Sequence, residues 1–261
     1  MNAPRKLAKL AVLVSVGRHP VSGTPRYSRN DAAALELGRR LAGEHGAQLD
    51  VLHAGDAANP ALADYLALGA RKLEVLECGP GDDAVAPLAE RLAGYDLVLT
   101  GTRAEGAFDT GLLPYQLAAR LDVGLAGTAV DIEVSNGEAV IRQFLPKGLR
   151  RKVAVRLPAL VAVHPLANAQ PRYAFARQQA GSIAPVRVAA AASAESAAWR
   201  TGPVERKPVK LAAAEKRSGH ARMLSATTTE SRGGNVVIEG SSVEKAQVIL
   251  AYLREHQLID Y

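Results

Sequence analysis

DLVLTGTRAEGAFDTGLLPYQLAARL, residues 96–121, is the stretch on which the fold turns. Its first residues, 96–100, read as a strand buried on both faces. A loop carrying Gly101, Gly106 and Gly111 follows, and a helical pattern runs over 110–121. A strand that hands over to a helix through a glycine-rich loop is half of a βαβ unit. At such a handover, unpaired backbone N–H groups and the positive end of the helix favour an anion such as phosphate. Asp109 and Thr110 stand at this point, and Asp109 serves equally well as a plain helix cap. The spacing leaves both readings open.

Upstream, the same alternation repeats. LAVLVSV, residues 10–16, is a continuous Val-rich run, the pattern of a strand covered on both faces. Residues 31–43 predict a helix with Ala34, Leu35, Leu37, Leu41 and Ala42 at helical spacing and Arg39 and Arg40 outward; Ser28 or Asn30 can cap it. QLDVLHA (48–54) predicts a strand, 61–68 a short helix ended by Gly69, and 72–76 a third strand. Residues 82–93 predict a helix opened by Asp82 or Asp83. Strands and helices in this alternation predict a parallel, doubly wound α/β sheet with right-handed crossovers. Ligands of such sheets sit beyond the carboxyl ends of the strands, which selects segments 15–18, 54–56 and 101–111.

Downstream of residue 126 the pattern changes. Segments 128–134, 138–144 and 153–156 predict an antiparallel extension, with Asn136 and Gly137 as a hairpin turn, and PALVAV (158–163) predicts one more buried strand. Residues 184–235, rich in Ala, Ser, Lys, Pro and Thr, read as an extended arm. A helix over 242–256 follows, expected to bury Val243, Ala246, Ile249, Leu250 and Leu253. Such an arm lies across a partner chain, or is a disordered linker ending in a docked helix. The expected division is a core over 1–183 and an arm over 184–261.

Composition narrows the function. Hydrophobic residues make up 48% of the 261 and aromatics 4%, a balance that suits helices packed on a sheet. The single cysteine, Cys78, excludes an internal disulfide framework and a cysteine-held metal cluster. The apolar run after the basic residues 1–10 is too short for a signal peptide or a membrane span, so a cytoplasmic protein without direct membrane insertion is expected. The formal charge of +6 is dispersed and not interleaved with aromatics, which disfavours nucleic acid and suits an acidic protein or an anionic nucleotide. No GxxxxGK[ST], GxGxxG, HExxH or GxSxG motif occurs. The six histidines are scattered, and neither a catalytic constellation nor a metal site emerges.

Taken together, several segments resemble the beta subunit of electron transfer flavoproteins. These are VLVSVGR (12–18), ALGARKLEVLE (67–77), residues 96–121, LPALVAVHP (157–165) and QPRYAFARQQAGSI (170–183). PRYA, 171–174, is the most specific element. The resemblance implies an α/β fold shared with adenine nucleotide alpha-hydrolases and universal-stress-type proteins. It also implies no redox chemistry on this chain. FAD is then held mainly by a partner alpha subunit, while AMP, a second FAD or no nucleotide remain open on this one. Electrons would come from a flavoprotein dehydrogenase and pass to a respiratory acceptor.

Carried over by resemblance, Ser15, Val16 and Gly17 line an adenine pocket with backbone groups, and Ala54 and Gly55 lie against the adenosine. Gly101, Thr102, Asp109, Thr110 and Gly111 surround the phosphate. Pro171, Arg172 and Tyr173 anchor a partner-recognition loop, with Phe175 and Ala176 at its exposed tip. Ala176 stands where the family carries a larger aliphatic anchor, and Ala54 where it carries a cysteine. A stand-alone nucleotide-binding stress-type protein and a bifurcating subunit with its own FAD are the alternatives.

Overall fold

Leu10 and Val12 point to one face of a sheet and Ala11 and Leu13 to the other, and all four are buried. That two-sided burial follows from the unbroken apolar run and sets the architecture. A computed structural model of the chain describes residues 6–105, 110–193, 197–200, 202, 218–220, 223, 239–256 and 258–259. Strands β1 (Lys9–Leu13), β4 (Gln48–Gly55), β5 (Lys72–Glu77), β6 (Leu97–Gly101) and β10 (Ala159–Val163) form the parallel centre of a nine-stranded sheet. The antiparallel extension is β7 (Gly124–Ser135), β8 (Glu138–Phe144) and β9 (Arg150–Arg156), with β7 parallel to β10. With β11 (Ser182–Arg187), the order is β11-β5-β4-β1-β6-β10-β7-β8-β9. Asn136 and Gly137, both at positive φ, make the expected hairpin turn.

Helices cover both faces. α1 (Arg29–His45) and α2 (Leu62–Leu68) lie over the face that receives Leu10, Val12, Val51 and Leu99. α3 (Val85–Leu92) and α4 (Leu113–Leu121) cover the face of Leu13, Leu52, Val98 and Leu160. Ser28 is the N-cap of α1, as expected, its hydroxyl accepting from the Asp31 amide. Gly69 ends α2 in a left-handed conformation.

The structure departs from the expected elements in five places. The run 10–16 is not one strand: β1 stops at Leu13. Val16–Arg18 (β2) then pairs antiparallel with Pro25–Tyr27 (β3) in a separate two-stranded sheet, because Ser15 is drawn down onto α1. α3 starts at Val85, not at residue 82, since Asp83 caps the Val85 amide and Asp82 accepts from Gly79 instead. α4 starts at Leu113, not at residue 110, because Gly111 is left-handed and the Thr110 hydroxyl accepts from Leu112. Residues 175–180 form a short helix, α5 (Phe175–Ala180). Residues 182–187, across the expected core boundary, are a strand of the core sheet. β11 is an edge strand beside β5, so Pro185 is tolerated, and that proline hides the strand in the sequence.

Two compact units result, residues 1–199 and 200–261. Most of the expected arm over 184–235 beyond residue 193 lies outside the described residues. In the second unit, α6 (Ser242–Glu255) opens with a capping box in which Ser241 and Glu244 satisfy each other's amides. Its Val243, Ala246 and Ile249 are exposed and Leu250 and Leu253 half-buried, contrary to the burial expected from the apolar spacing. Among the described residues no helix is long and apolar enough to cross a membrane.

Candidate functional site

The chain runs β1, β4, β5 toward one edge and then returns past β1 to β6 and β10 on the other side. The strand order therefore reverses between β1 and β6, and the crevice beyond their carboxyl ends is the place where doubly wound sheets bind ligands. Three backbone segments converge there: the end of β1 with the β2–β3 hairpin, the start of α1, and the loop after β6.

Asp31 holds these segments together. Its side chain is 2% exposed, Oδ2 accepts from the Ser15 amide at 2.7 Å and the Ser15 hydroxyl at 2.6 Å, and Oδ1 accepts from the Gly101 amide at 3.0 Å. One carboxylate thus joins the two strand ends that frame the crevice. Burial pushes its pKa from 3.8 up to about 7, against the three hydrogen bonds that favour the anion, with the Glu105 charge adding to the rise. Tyr65 completes the tie from α2: its hydroxyl donates to the Ser15 carbonyl at 2.6 Å and accepts from the Ser28 amide at 2.9 Å. Burial and the nearby Asp31 raise the Tyr65 phenol well above its usual range. The His53 imidazole, buried beside the end of β4, lies 2.8 Å from the Val14 carbonyl, and burial pushes its pKa down. The neutral, structural histidine is the form that fits.

Close approach fixes two glycines. A Cβ on Gly101 would collide with Asp31 Oδ1 and lie 2.9 Å from Asn30 Cβ; one on Gly17 would lie 2.5 Å from Glu105 Oε2. Glu105 in turn pairs with Arg26 of β3 at 3.0 Å, which fastens the start of the 101–111 loop to the hairpin. The other end of the loop returns to the same place. A Cβ on Gly111 would sit 3.4 Å from the Thr102 carbonyl, and the Thr102 hydroxyl lies 3.4 Å from Asn30 Nδ2. α4 begins there with no side-chain cap on its first amides.

Sequence reasoning selected Ser15, Val16, Gly17, Gly101, Thr102, Thr110 and Gly111, which lie on the segments that follow β1 and β6. Ala54 and Gly55 lie at the end of the neighbouring β4. Asp109 lies outside the described residues. The N–H and hydroxyl of Ser15 are engaged by Asp31 and its carbonyl by Tyr65, so Ser15 holds the pocket wall in place. Asp31, Tyr65, Asn30, Arg26 and Glu105 were not foreseen.

Residues 25–194 match the electron transfer flavoprotein domain. Over 258 residues the chain is 35% identical to the electron transfer flavoprotein subunit beta of Chromohalobacter salexigens, covering 96% of each. The chain belongs to the electron transfer flavoprotein beta subunit family. The family is one of electron carriers. Among the described residues no group of three or more His, Cys, Asp or Glu is placed to hold a metal ion.

The space over Gly17 is taken by the Glu105 side chain and that over Gly101 by Asp31, and in the first turn of α4 Pro114 has no N–H while Tyr115 and Gln116 donate to the Leu112 carbonyl. The carboxylate at the crevice rim, Glu105, is matched by Arg26. The segment over 171–176 lies elsewhere on the chain. Pro171, Arg172, Tyr173, Phe175 and Ala176 are all exposed, and Tyr173 OH reaches Asp64 Oδ1 of α2 at 3.3 Å. Tyr173 is 53% and Phe175 64% exposed, so neither is a core residue, and Phe175 opens α5 instead of standing at a loop tip.

Proposed function

We propose that this chain is the beta subunit of a heterodimeric electron transfer flavoprotein that carries a nucleotide, AMP in the simplest case, in the β1–β6 crevice. The observation that carries the reading is the Asp31 tie, which joins the two strand ends at the switch point of a chain from an electron-carrier family. FAD, held mainly by the alpha subunit, supplies the reversible uptake of electrons; this chain supplies binding and docking. Val16, Gly17, Ala54 and Gly55 meet the adenosine. Gly101, Thr102, Asp109, Thr110 and Gly111 hold the phosphate with backbone amides and hydroxyls. Asp31, Ser15 and Tyr65 keep those turns in register. Pro171, Arg172, Tyr173, Phe175 and Ala176 receive a flavoprotein dehydrogenase that donates electrons, which pass onward to a respiratory acceptor. The exposed apolar stripe of α6 and the arm before it lie across the alpha subunit. A cytoplasmic location follows from this reading.

Co-expression with an alpha subunit, acid release of bound nucleotides and their chromatographic identification test it. One FAD and one AMP per heterodimer support the carrier reading, and two FAD move the assignment to a bifurcating system. A chain that never associates with an alpha subunit and carries ATP when purified alone sinks it in favour of a stress-type protein.

A further inference from the structure

Between α1 and the segment 168–177 lies an open recess of about 380 Å³. Glu36, Arg39 and Arg40 line it from α1, and Gln170, Arg172 and Arg177 from the facing segment. Four guanidiniums thus face one carboxylate among the lining residues. Two of the four are fixed: Arg39 Nη1 binds Glu36 at 2.7 Å, and Arg40 Nη2 binds Asp131 at 2.9 Å and the Ile132 carbonyl at 3.0 Å. Arg40 Nε, shielded from water, lies in ion-pair range of Glu44 Oε1 at 3.7 Å, beyond hydrogen-bonding distance. Arg177 donates to the Arg172 carbonyl, which holds the outer wall together. Neither Arg172 nor Arg177 has a carboxylate at ion-pair distance among the described residues.

We propose that this recess is a docking pocket for carboxylate side chains on an acidic protein partner, seated beside the exposed Tyr173 and Phe175. The proposal rests on the reading of residues 171–176 as a docking segment. Charge complementarity selects the occupant. Guanidinium forks match carboxylates in paired hydrogen bonds, and arginines anchored by a neighbouring acid lose little freedom on binding. A macromolecule is favoured over a free anion because the recess is open and its outer wall continues into two exposed aromatic side chains. Arginine beside exposed aromatics is the composition of a protein-binding hot spot. The formal charge of +6 on the whole chain adds long-range attraction for such a partner.

The test uses the full chain and a blocked, glutamate-only peptide as probe, with its glutamine counterpart and inorganic phosphate as comparisons, followed by amide NMR. The expected result is a salt-sensitive shift of the Gln170, Arg172 and Arg177 amides with the glutamate peptide and none with the glutamine peptide. Arg172→Gln with Arg177→Gln weakens binding by about tenfold or more. Arg172→Lys with Arg177→Lys, which keeps charge and fold, falls between. Peptide binding untouched by the double Gln variant overturns the proposal. So does phosphate binding as tightly as the peptide at the same amides, which marks a small-anion site. Phe175→Ser separates this claim from the docking reading on which it rests. Unchanged peptide binding in Phe175→Ser supports an independent carboxylate pocket. Loss of the arginine effect in that variant overturns it. The docking reading is judged apart, by whether a flavoprotein dehydrogenase co-purifies with the heterodimer and is lost from its Phe175→Ser form.

Discussion

Replacing Asp31 with Asn removes an ionisable group from a site that is 2% exposed while keeping its shape, so it isolates the electrostatics of the crevice. Burial raises the Asp31 pKa from 3.8 to about 7. The folded chain therefore binds this proton more tightly than the unfolded chain. The stability linked to the protonated form is complete below the unfolded pKa and is lost as pH rises through the folded one. A shift of that size corresponds to about 4 kcal/mol in total, since each pKa unit is worth about 1.36 kcal/mol. About 2–3 kcal/mol of it falls between about pH 5 and about pH 8. The side-chain amide of the Asp31→Asn variant has no such titration, and it loses one of the three hydrogen bonds because its NH₂ group faces a donor. The stability advantage of the wild type over Asp31→Asn should therefore be largest in acid and shrink by about 2–3 kcal/mol toward about pH 8. Urea unfolding of both proteins, followed by circular dichroism in pH steps, yields that difference directly. A difference that grows with pH refutes the reasoning: the three donors would then outweigh burial and hold Asp31 ionised. A flat difference refutes it too, since the carboxylate would then titrate alike in both states.

Tyr65→Phe removes the hydroxyl that bridges the Ser28 amide and the Ser15 carbonyl. With two buried backbone groups left unpaired, it should cost about 1–3 kcal/mol or more in the urea midpoint, and an unchanged midpoint would place water in the gap. Gly101→Ala forces a methyl against Asp31 Oδ1 and should cost about 1–3 kcal/mol by overpacking, with nucleotide content of the heterodimer falling in parallel. His164 stacks on Phe144 at 4.2 Å between centroids, and the Arg150 guanidinium lies over the same Phe144 ring at 4.6 Å. Burial first and the Arg150 charge second hold the His164 pKa below 6.5. Arg150→Gln should raise it in an NMR titration, and an unmoved titration would show that burial alone sets it.

Periodicity carried the sheet and its helices because each depends on apolar spacing along one segment. Val12 and Leu99 are buried by neighbours that any doubly wound arrangement supplies. The failures lie where a local signal points the other way. Pro185 reads as a strand breaker until β5 is known to be its single neighbour in the sheet. Val16 reads as the end of β1 until Ser15 is seen bonded to α1.

The framing of the crevice was illegible for a related reason. Ser28 and Asn30 read as alternatives for capping one helix and Asp31 as its first residue, so nothing in the capping pattern singles the acid out. One signal was present: Asp31 sits three and four positions before Ala34 and Leu35, both fully buried, so helical geometry sends its side chain to the core face. An acid on that face must find donors, and here the donors come from two turns that lie 16 and 70 residues away in the chain. Sequence spacing holds no record of such a meeting, since it depends on which strands become neighbours. The turns themselves were found because they follow strand ends, whereas the groups that crowd their glycines, Glu105 at Gly17 and Asp31 at Gly101, are ordinary carboxylates distant in the chain. Under the proposed function such a tie has a use, because one buried acid fixes the positions of both strand ends that frame the crevice.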